Sequence, residues 1–269
     1  MIFIIKQNMK YQYNLTAFEK INEDSAYFLG LLYADGNLSD KGCITLNQSI
    51  KDIDIVEKFK TFLGTNKPIR VVEVTNSVSF SFQNKMITKQ LTNLGLEPRK
   101  SLTLKFPMFI EKIYLKDFIR GYFDGDGCVS LTKNKTTSNL RIHLVGTYDM
   151  LFNIKKYLTD VLLINDRKIS QITIGKNTFQ LEITKKLDVQ NIKDLLYNNS
   201  KYFLSRKRNI FFTNINNNNE DCSLSSRYKN ICYREKRKRW RATYYLNNIR
   251  KEKSFKHEIE AFNFLESLD

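Results

Sequence analysis

Two nine-residue stretches constrain this chain more than anything else in it: residues 28–36, FLGLLYADG, and residues 119–127, IRGYFDGDG. In each, small residues stand four apart, Gly30 with Ala34 and Gly121 with Gly125. On a helix such pairs share one face. Glycine inside a helix costs about 1 kcal/mol relative to alanine, so its use there calls for a packing reason. Two helices pressed together backbone to backbone supply that reason. Side by side, their C-terminal ends meet. Gly36 and Gly127 are expected to stop the helices, which makes neighbours of Asp35 and Asp126. A carboxylate at a helix C-terminus faces the negative end of the dipole, and two together repel. A divalent cation relieves both problems.

The chain after each stretch follows one plan. After Gly36 a turn is expected around 39–42, then a strand at 43–48, a helix at 52–63, strands at 69–73 and 77–82, and a helix at 85–94 closed by Gly95. After Gly127 strands are expected at 128–132 and 141–145, a helix at 149–162, strands at 171–174 and 179–183, and a helix at 188–197. Both read as αββαββα. The pattern suits a sheet with one face on helices and one free. Alternation places Thr45, Asn47, Arg70, Glu73, Ser79 and Ser81 on the free face of the first sheet. It places Arg141, His143, Thr173, Gln180 and Glu182 on that of the second.

Forty-four Lys and Arg against 28 Asp and Glu give a net charge of +16, which calls for a polyanionic partner. No run of about 20 apolar residues is present for a membrane span, and the short apolar run at 2–5 does not make a signal peptide. Nucleic acid is therefore the expected partner, with no membrane. Cys43, Cys128, Cys222 and Cys232 form no C-x-x-C pair, and only His143 and His257 could join them on zinc. They read as reduced thiols of an intracellular protein.

Both stretches resemble the LAGLIDADG motif of homing endonucleases, the second more closely. The first has Tyr33 where the motif has its first Asp, a position that is not a metal ligand in the family. The resemblance spans roughly residues 20 to 205. It implies an α+β fold of two pseudo-symmetric αββαββα halves, here 1–105 and 106–212. It also implies saddle-shaped sheets that enter the DNA major groove, and a monomer carrying both halves. Asp35 and Asp126 would hold Mg²⁺ or Mn²⁺. Gln48 would be a polar catalytic-shell residue, with Lys85 and Lys185 as basic residues near the end of each half's fourth strand. Arg70 and Arg141 would face DNA. The segment 97–107 resembles the linker before the second motif, with Arg99, Lys100 and Lys105 toward phosphates. Asp124 is not expected to be catalytic. The implied function is site-specific cleavage of double-stranded DNA. An RNA maturase acting on intron RNA, or a non-cleaving DNA-binding regulator, is the alternative. The chain is not expected to be an intein, since it begins at Met1 without a splicing nucleophile and ends Ser267-Leu-Asp269.

Residues 213–226 form an Asn-rich linker by composition. Beyond it, residues 227–269 read as three short strands and a helix, with Asn247 and Asn248 at a hairpin turn. Tyr228 to Ile231, Trp240 to Ala242, Phe255 and Glu258 to Ala261 resemble the ethylene-response-factor type of DNA-binding domain. Ser254 replaces its usual glycine. That resemblance implies DNA contacts from Arg234, Arg237, Arg239, Trp240 and Arg241.

Overall fold

A capping box starts the first helix. Asn22 accepts from the Ser25 amide at 2.9 Å, and the Ser25 hydroxyl accepts from the Asn22 amide at 2.8 Å. The computed structural model describes residues 10–133, 138–164, 168–172, 176–213, 231–234, 237–246 and 249–268. Its packing divides the chain into two units. One comprises residues 1–127, 175–177 and 199–206, and the other comprises the rest.

The first unit runs α1 (Glu23–Asp35), β1 (Gly36–Leu38), β2 (Cys43–Ser49), α2 (Ile53–Phe62), β3 (Arg70–Val72), β4 (Ser77–Gln83), α3 (Lys85–Asn93) and α4 (Lys112–Asp126). Every α1 residue from Ser25 to Tyr33 is buried, as is every α4 residue from Asp117 to Asp124. Helices covered on all sides have no polar face. The sheet order is β1-β2-β4-β3. Ile44 and Leu46 of β2 with Val78, Phe80 and Phe82 of β4 form its inner face. Phe59 of α2 packs there, 5.2 Å from the Phe28 ring and 6.1 Å from that of Phe80. The other face carries Thr45 opposite Ser81, and Asn47 opposite Ser79, which also pairs with Arg70. Glu73 instead enters a 3₁₀ turn at Glu73–Thr75, closed by Asn76 at φ 51°. That turn ends β3 before the strand expected to reach residue 73.

The second unit repeats the order with β5 (Gly127–Lys133), β6 (Ser138–Gly146), α5 (Tyr148–Leu162), β7 (Ile169–Gln171), β8 (Phe179–Ile183) and α6 (Lys186–Tyr197). Its sheet order, β5-β6-β8-β7, copies the first. Ile142 and Leu144 point inward with Leu181 and Ile183. On the other face Arg141 pairs with Glu182 at 3.0 Å, and His143 bonds Gln180 at 2.9 Å. Thr173 lies outside the described residues. A helix not expected from the sequence, α7 (Ser205–Thr213), follows.

The expected linker after Thr213 lies outside the described residues. Beyond it stand β9 (Ile231–Arg234), β10 (Arg239–Leu246), β11 (Ile249–Phe255) and α8 (Glu258–Glu266), with β10 central. Ile231, Ala242 and Ala261 form a small core, covered by Trp240, Phe255, Phe262, Phe264 and Leu265. The fold is thus mixed α+β with antiparallel sheets and a small terminal sheet and helix. Among the described residues no helix is long and apolar enough to cross a membrane.

Candidate metal centre at the paired helix ends

The small residues place the acids. A Cβ added to Gly30 would stand 2.1 Å from the Phe118 carbonyl oxygen, and one added to Gly121 would stand 2.0 Å from that of Tyr27. One on Gly125 would fall 2.2 Å from the Ala34 Cβ and 3.1 Å from Asp35 Oδ2. Backbone therefore meets backbone along α1 and α4, and the Asp35 carboxylate lies against the residue next to Asp126. Both helices stop at the expected glycines, though without a left-handed turn. Gly36 and Gly127 have φ of −73° and −84°, extended rather than left-handed. Each helix passes directly into a strand. Glycine is needed there for room, because a Cβ would lie 2.5 Å from the Leu32 or Phe123 carbonyl oxygen.

The two acids have different neighbours. Gln48 shares the inward phase of Ile44 and Leu46 but sits at the far end of β2. Its amide Nε2 donates to Asp35 Oδ2 at 2.6 Å. Asp126 is exposed and takes a hydrogen bond from the buried Tyr122 hydroxyl. Burial first, and then the charge of Asp126, pushes the Tyr122 phenol well above its ordinary pKa.

Lys100 departs from the phosphate-contacting role expected of it. Only 7% exposed, it turns inward on a 3₁₀ turn and donates Nζ to the Ala34 carbonyl at 3.0 Å. The physical reason is the free carbonyl at the end of α1, which needs a donor. Burial pulls the Lys100 ammonium below its ordinary pKa, while Asp126 and Asp35 oppose that pull. One cation thus feels both carboxylates.

Two further motif residues fasten the chain. The Tyr33 hydroxyl donates to the Leu94 carbonyl. Asp124 Oδ2 accepts from the Tyr27 hydroxyl at 2.8 Å and from the Leu204 amide at 2.9 Å.

Of the other expected site residues, Lys85 is exposed at the start of α3, with no described contact to Asp35. Lys185 directly precedes α6 in the second unit. Arg70 is exposed on its sheet's open face. Arg99 is exposed and ion-paired with Asp40 at 2.9 Å. Arg237 and Arg239 are exposed. Arg241 grips Glu252 through two bonds of 2.9 and 2.8 Å. Trp240 lies on the covered face of its sheet, its ring 5.1 Å from that of Tyr233. Arg234 enters through its backbone, paired with Arg239. Sequence reasoning missed the buried role of Lys100, and the Arg-Lys dipeptide alone gave no signal, since it also stands at 167–168, 237–238 and 250–251, where Lys168, Lys238 and Lys251 are exposed. The dipeptide Arg99-Lys100 recurs as Arg206-Lys207, and Lys207 is again buried, at 4% exposure.

No group of three or more His, Cys, Asp or Glu able to hold a metal exists among the described residues. The donor set is two aspartates, one exposed and one half-buried, at helix C-termini. Two hard oxygen donors fit a cation that keeps most of its waters, as Mg²⁺ does. They do not fit zinc.

Residues 114–196 match the LAGLIDADG-like domain family. A reverse gyrase of Thermococcus kodakarensis is 32% identical over 141 residues, 52% of this chain and 8% of that protein. A reverse gyrase of Methanocaldococcus jannaschii is 28% identical over 182 residues, 64% of this chain and 11% of that one. The chain therefore spans about a tenth of the length of the curated relatives it matches. The fold is similar to that of the LAGLIDADG homing endonuclease I-GzeII in complex with its DNA target, with a TM-score of 0.52 and 12% identity. That likeness covers 71% of this chain and 88% of that one. It is also similar to I-SmaMI bound to uncleaved DNA in the presence of calcium ions. Here the TM-score is 0.52 and the identity 14%, over 71% of this chain and 89% of the other. Residues 114–196 thus resemble a LAGLIDADG-like domain, and the fold is similar to that of these two structures.

Proposed function

We propose that the chain is a site-specific endonuclease of double-stranded DNA that hydrolyses phosphodiesters with a divalent metal, Mg²⁺ or Mn²⁺, held by Asp35 and Asp126. The observation that carries this reading is the meeting of the two aspartates at the ends of α1 and α4, with Lys100 under the influence of both. A bare carboxylate pair at two negative helix ends is costly, and a bound cation removes that cost. Bound there, the metal supplies positive charge for the phosphoryl transfer.

The chain's own residues do the rest. Gln48 fixes one carboxylate oxygen of Asp35. Lys100 ties the end of α1 and sets a positive charge beside the two carboxylates. In each strand a water oxygen forms a bond to phosphorus. The bridging P–O bond breaks, its electron pair leaves on the sugar oxygen, and that oxygen takes a proton as the attacking water loses one. The open sheet faces, with their hydroxyl, amide and guanidinium groups, suit base edges in a major groove.

Residues 227–269 carry twelve Lys or Arg and six acids, and we assign them a second DNA contact through the strand face that bears Arg239 and Arg241. Their likeness to the ethylene-response-factor type rests on the quoted residues and on the three strands and helix. Tethering such a module raises effective concentration at the DNA. Removing it should weaken DNA binding and flatten its salt dependence.

The test is incubation with random duplex libraries and Mg²⁺, followed by sequencing of the new ends. Cleavage at one motif by the wild type, and its loss by about 100-fold or more in Asp35→Asn and Asp126→Asn with DNA still bound, is the expected result. Binding without cleavage by the wild type would replace this reading with a non-cleaving regulator.

A further inference from the structure

Of the chain's two histidines, His257 stands at the N-cap of α8. His143 stands on the open face of the second sheet, between the inward Ile142 and Leu144 of β6. Its Nδ1 lies 2.9 Å from Nε2 of Gln180 on β8. An amide nitrogen only donates, so Nδ1 accepts and the ring proton is on Nε2. The same place in the first sheet holds Thr45, between Ile44 and Leu46, its hydroxyl 2.9 Å from that of Ser81. A hydroxyl changes from donor to acceptor by rotating, whereas an imidazole becomes a donor at both nitrogens only by taking up a proton.

We propose that His143 and Gln180 form a proton-dependent specificity pair, selecting adenine at one target position at higher pH and guanine there at lower pH. The inference rests on the reading of the open sheet faces as the interface with duplex DNA. While the ring is neutral, the pair uses one donor and one acceptor on its own bond and offers the groove one of each. In the tautomer above these are the Nε2–H of His143 and Oε1 of Gln180. In the other tautomer the amide turns over and the two roles exchange. Adenine presents the complement, an N7 acceptor beside an N6 donor. A protonated ring donates from Nδ1, so the amide must turn its oxygen toward the ring. The groove then meets the Nε2–H and the amide NH₂, two donors that match N7 and O6 of guanine. The charged groups around the pair are Glu182, directly across from His143 on β8, and Arg141 of β6, which oppose each other at 3.0 Å. On the other side of β6, β5 brings the thiol of Cys128 and the hydroxyl of Ser130 to this face. Beside Gln180, β7 brings Ser170. The hydroxyl pair of Thr45 and Ser81 does not titrate in this range, so the effect belongs to the part of the target that the second sheet reads.

The experiment uses the full chain to select duplexes from a random library without Mg²⁺, at about pH 8 and about pH 5.5, and sequences those bound. One target position should pass from adenine to guanine, its preference changing by about fivefold or more, while the other positions stay the same. His143→Gln should show a single preference at both pH values. The reciprocal measurement follows the ring nitrogen chemical shifts of His143 in the wild-type complexes. The guanine duplex should keep the ring protonated to a higher pH than the adenine duplex does, because a proton that favours one base must itself be favoured by that base. A wild-type preference that is the same at both pH values would overturn the inference and leave the endonuclease reading to its own cleavage test. A switch that survives in His143→Gln, or a ring that titrates alike on both duplexes, would also overturn it. Binding without any sequence preference at either pH would overturn both the inference and the site-specific reading.

Discussion

The ends of α1 and α4 perform one structural task with opposite chemistry. At the sixth motif position α1 has Tyr33, which donates to the Leu94 carbonyl. At the same position α4 has Asp124, which accepts from the Leu204 amide. Each partner lies a few residues before an Arg-Lys pair with a buried lysine, Arg99-Lys100 in one case and Arg206-Lys207 in the other. A donor and an acceptor are interchangeable here because a peptide group offers both a carbonyl and an N–H. The lesson is that the position ties down the returning chain. The residue that differs between the halves at this position fastens the chain, while the acids that are the same, Asp35 and Asp126, are those proposed above to hold the metal.

The comparison breaks first if the helices do not meet as closely as their glycines require. Gly30→Ala and Gly121→Ala each place a Cβ near 2 Å from a carbonyl oxygen of the facing helix. Neither backbone can retreat without moving a whole helix. Each should cost about 1–3 kcal/mol or more, measured by chemical denaturation. The two should behave alike, because the contact is reciprocal. A large loss in one and none in the other would show that the two helices are not equal partners.

Asp124→Asn comes next. One carboxylate oxygen accepts from both Tyr27 and Leu204 in a buried setting. An amide oxygen accepts less strongly, and its NH₂ brings donors into a place arranged for acceptors. A loss of about 1–3 kcal/mol is expected, with Asp35 and Asp126 untouched. If cleavage by a still-folded Asp124→Asn fell as far as in Asp126→Asn, the structural assignment of this acid would be wrong.

Much of the scaffold was legible because it rests on period and on small residues. The spacing of Gly30, Ala34, Gly121 and Gly125 indicated the helix contact, and alternation in β2 and β4 put Thr45, Asn47, Ser79 and Ser81 on one face. What was not legible depends on where the chain returns in space. Lys100 read as a phosphate contact, but the carbonyl of Ala34 at the end of α1 gives it a reason to turn inward. Trp240 stood among arginines in sequence, yet its strand register puts it beside Ile231 and Ala242. Gly36 and Gly127 read as helix stops and are, but that a strand begins at once, with φ values that are ordinary, was not in the pattern. Tyr122 carried no signal at all, since a tyrosine inside an apolar helix looks like core until its hydroxyl finds Asp126.

Tyr33→Phe should have the smallest effect at neutral pH and a distinctive one in alkali. Leu94 is only half-buried, so water can replace the lost hydroxyl at its carbonyl. The cost should be about 0.5–1.5 kcal/mol. Burial first, and the nearby Glu97 second, push the Tyr33 phenol above its ordinary 10.0. The folded chain therefore keeps a proton that the unfolded chain releases. Stability from this group is fully present below about pH 10 and is lost as the pH rises beyond it. Phenylalanine has no such proton, so the variant should lose less stability than the wild type on moving from about pH 9 to 11. Tyr122 remains in both proteins and contributes equally to each. Thermal melts across that range would show the two curves converging. Parallel curves would mean that Tyr33 ionises as freely in the fold as out of it, and the symmetry drawn between Tyr33 and Asp124 would then lose its first half.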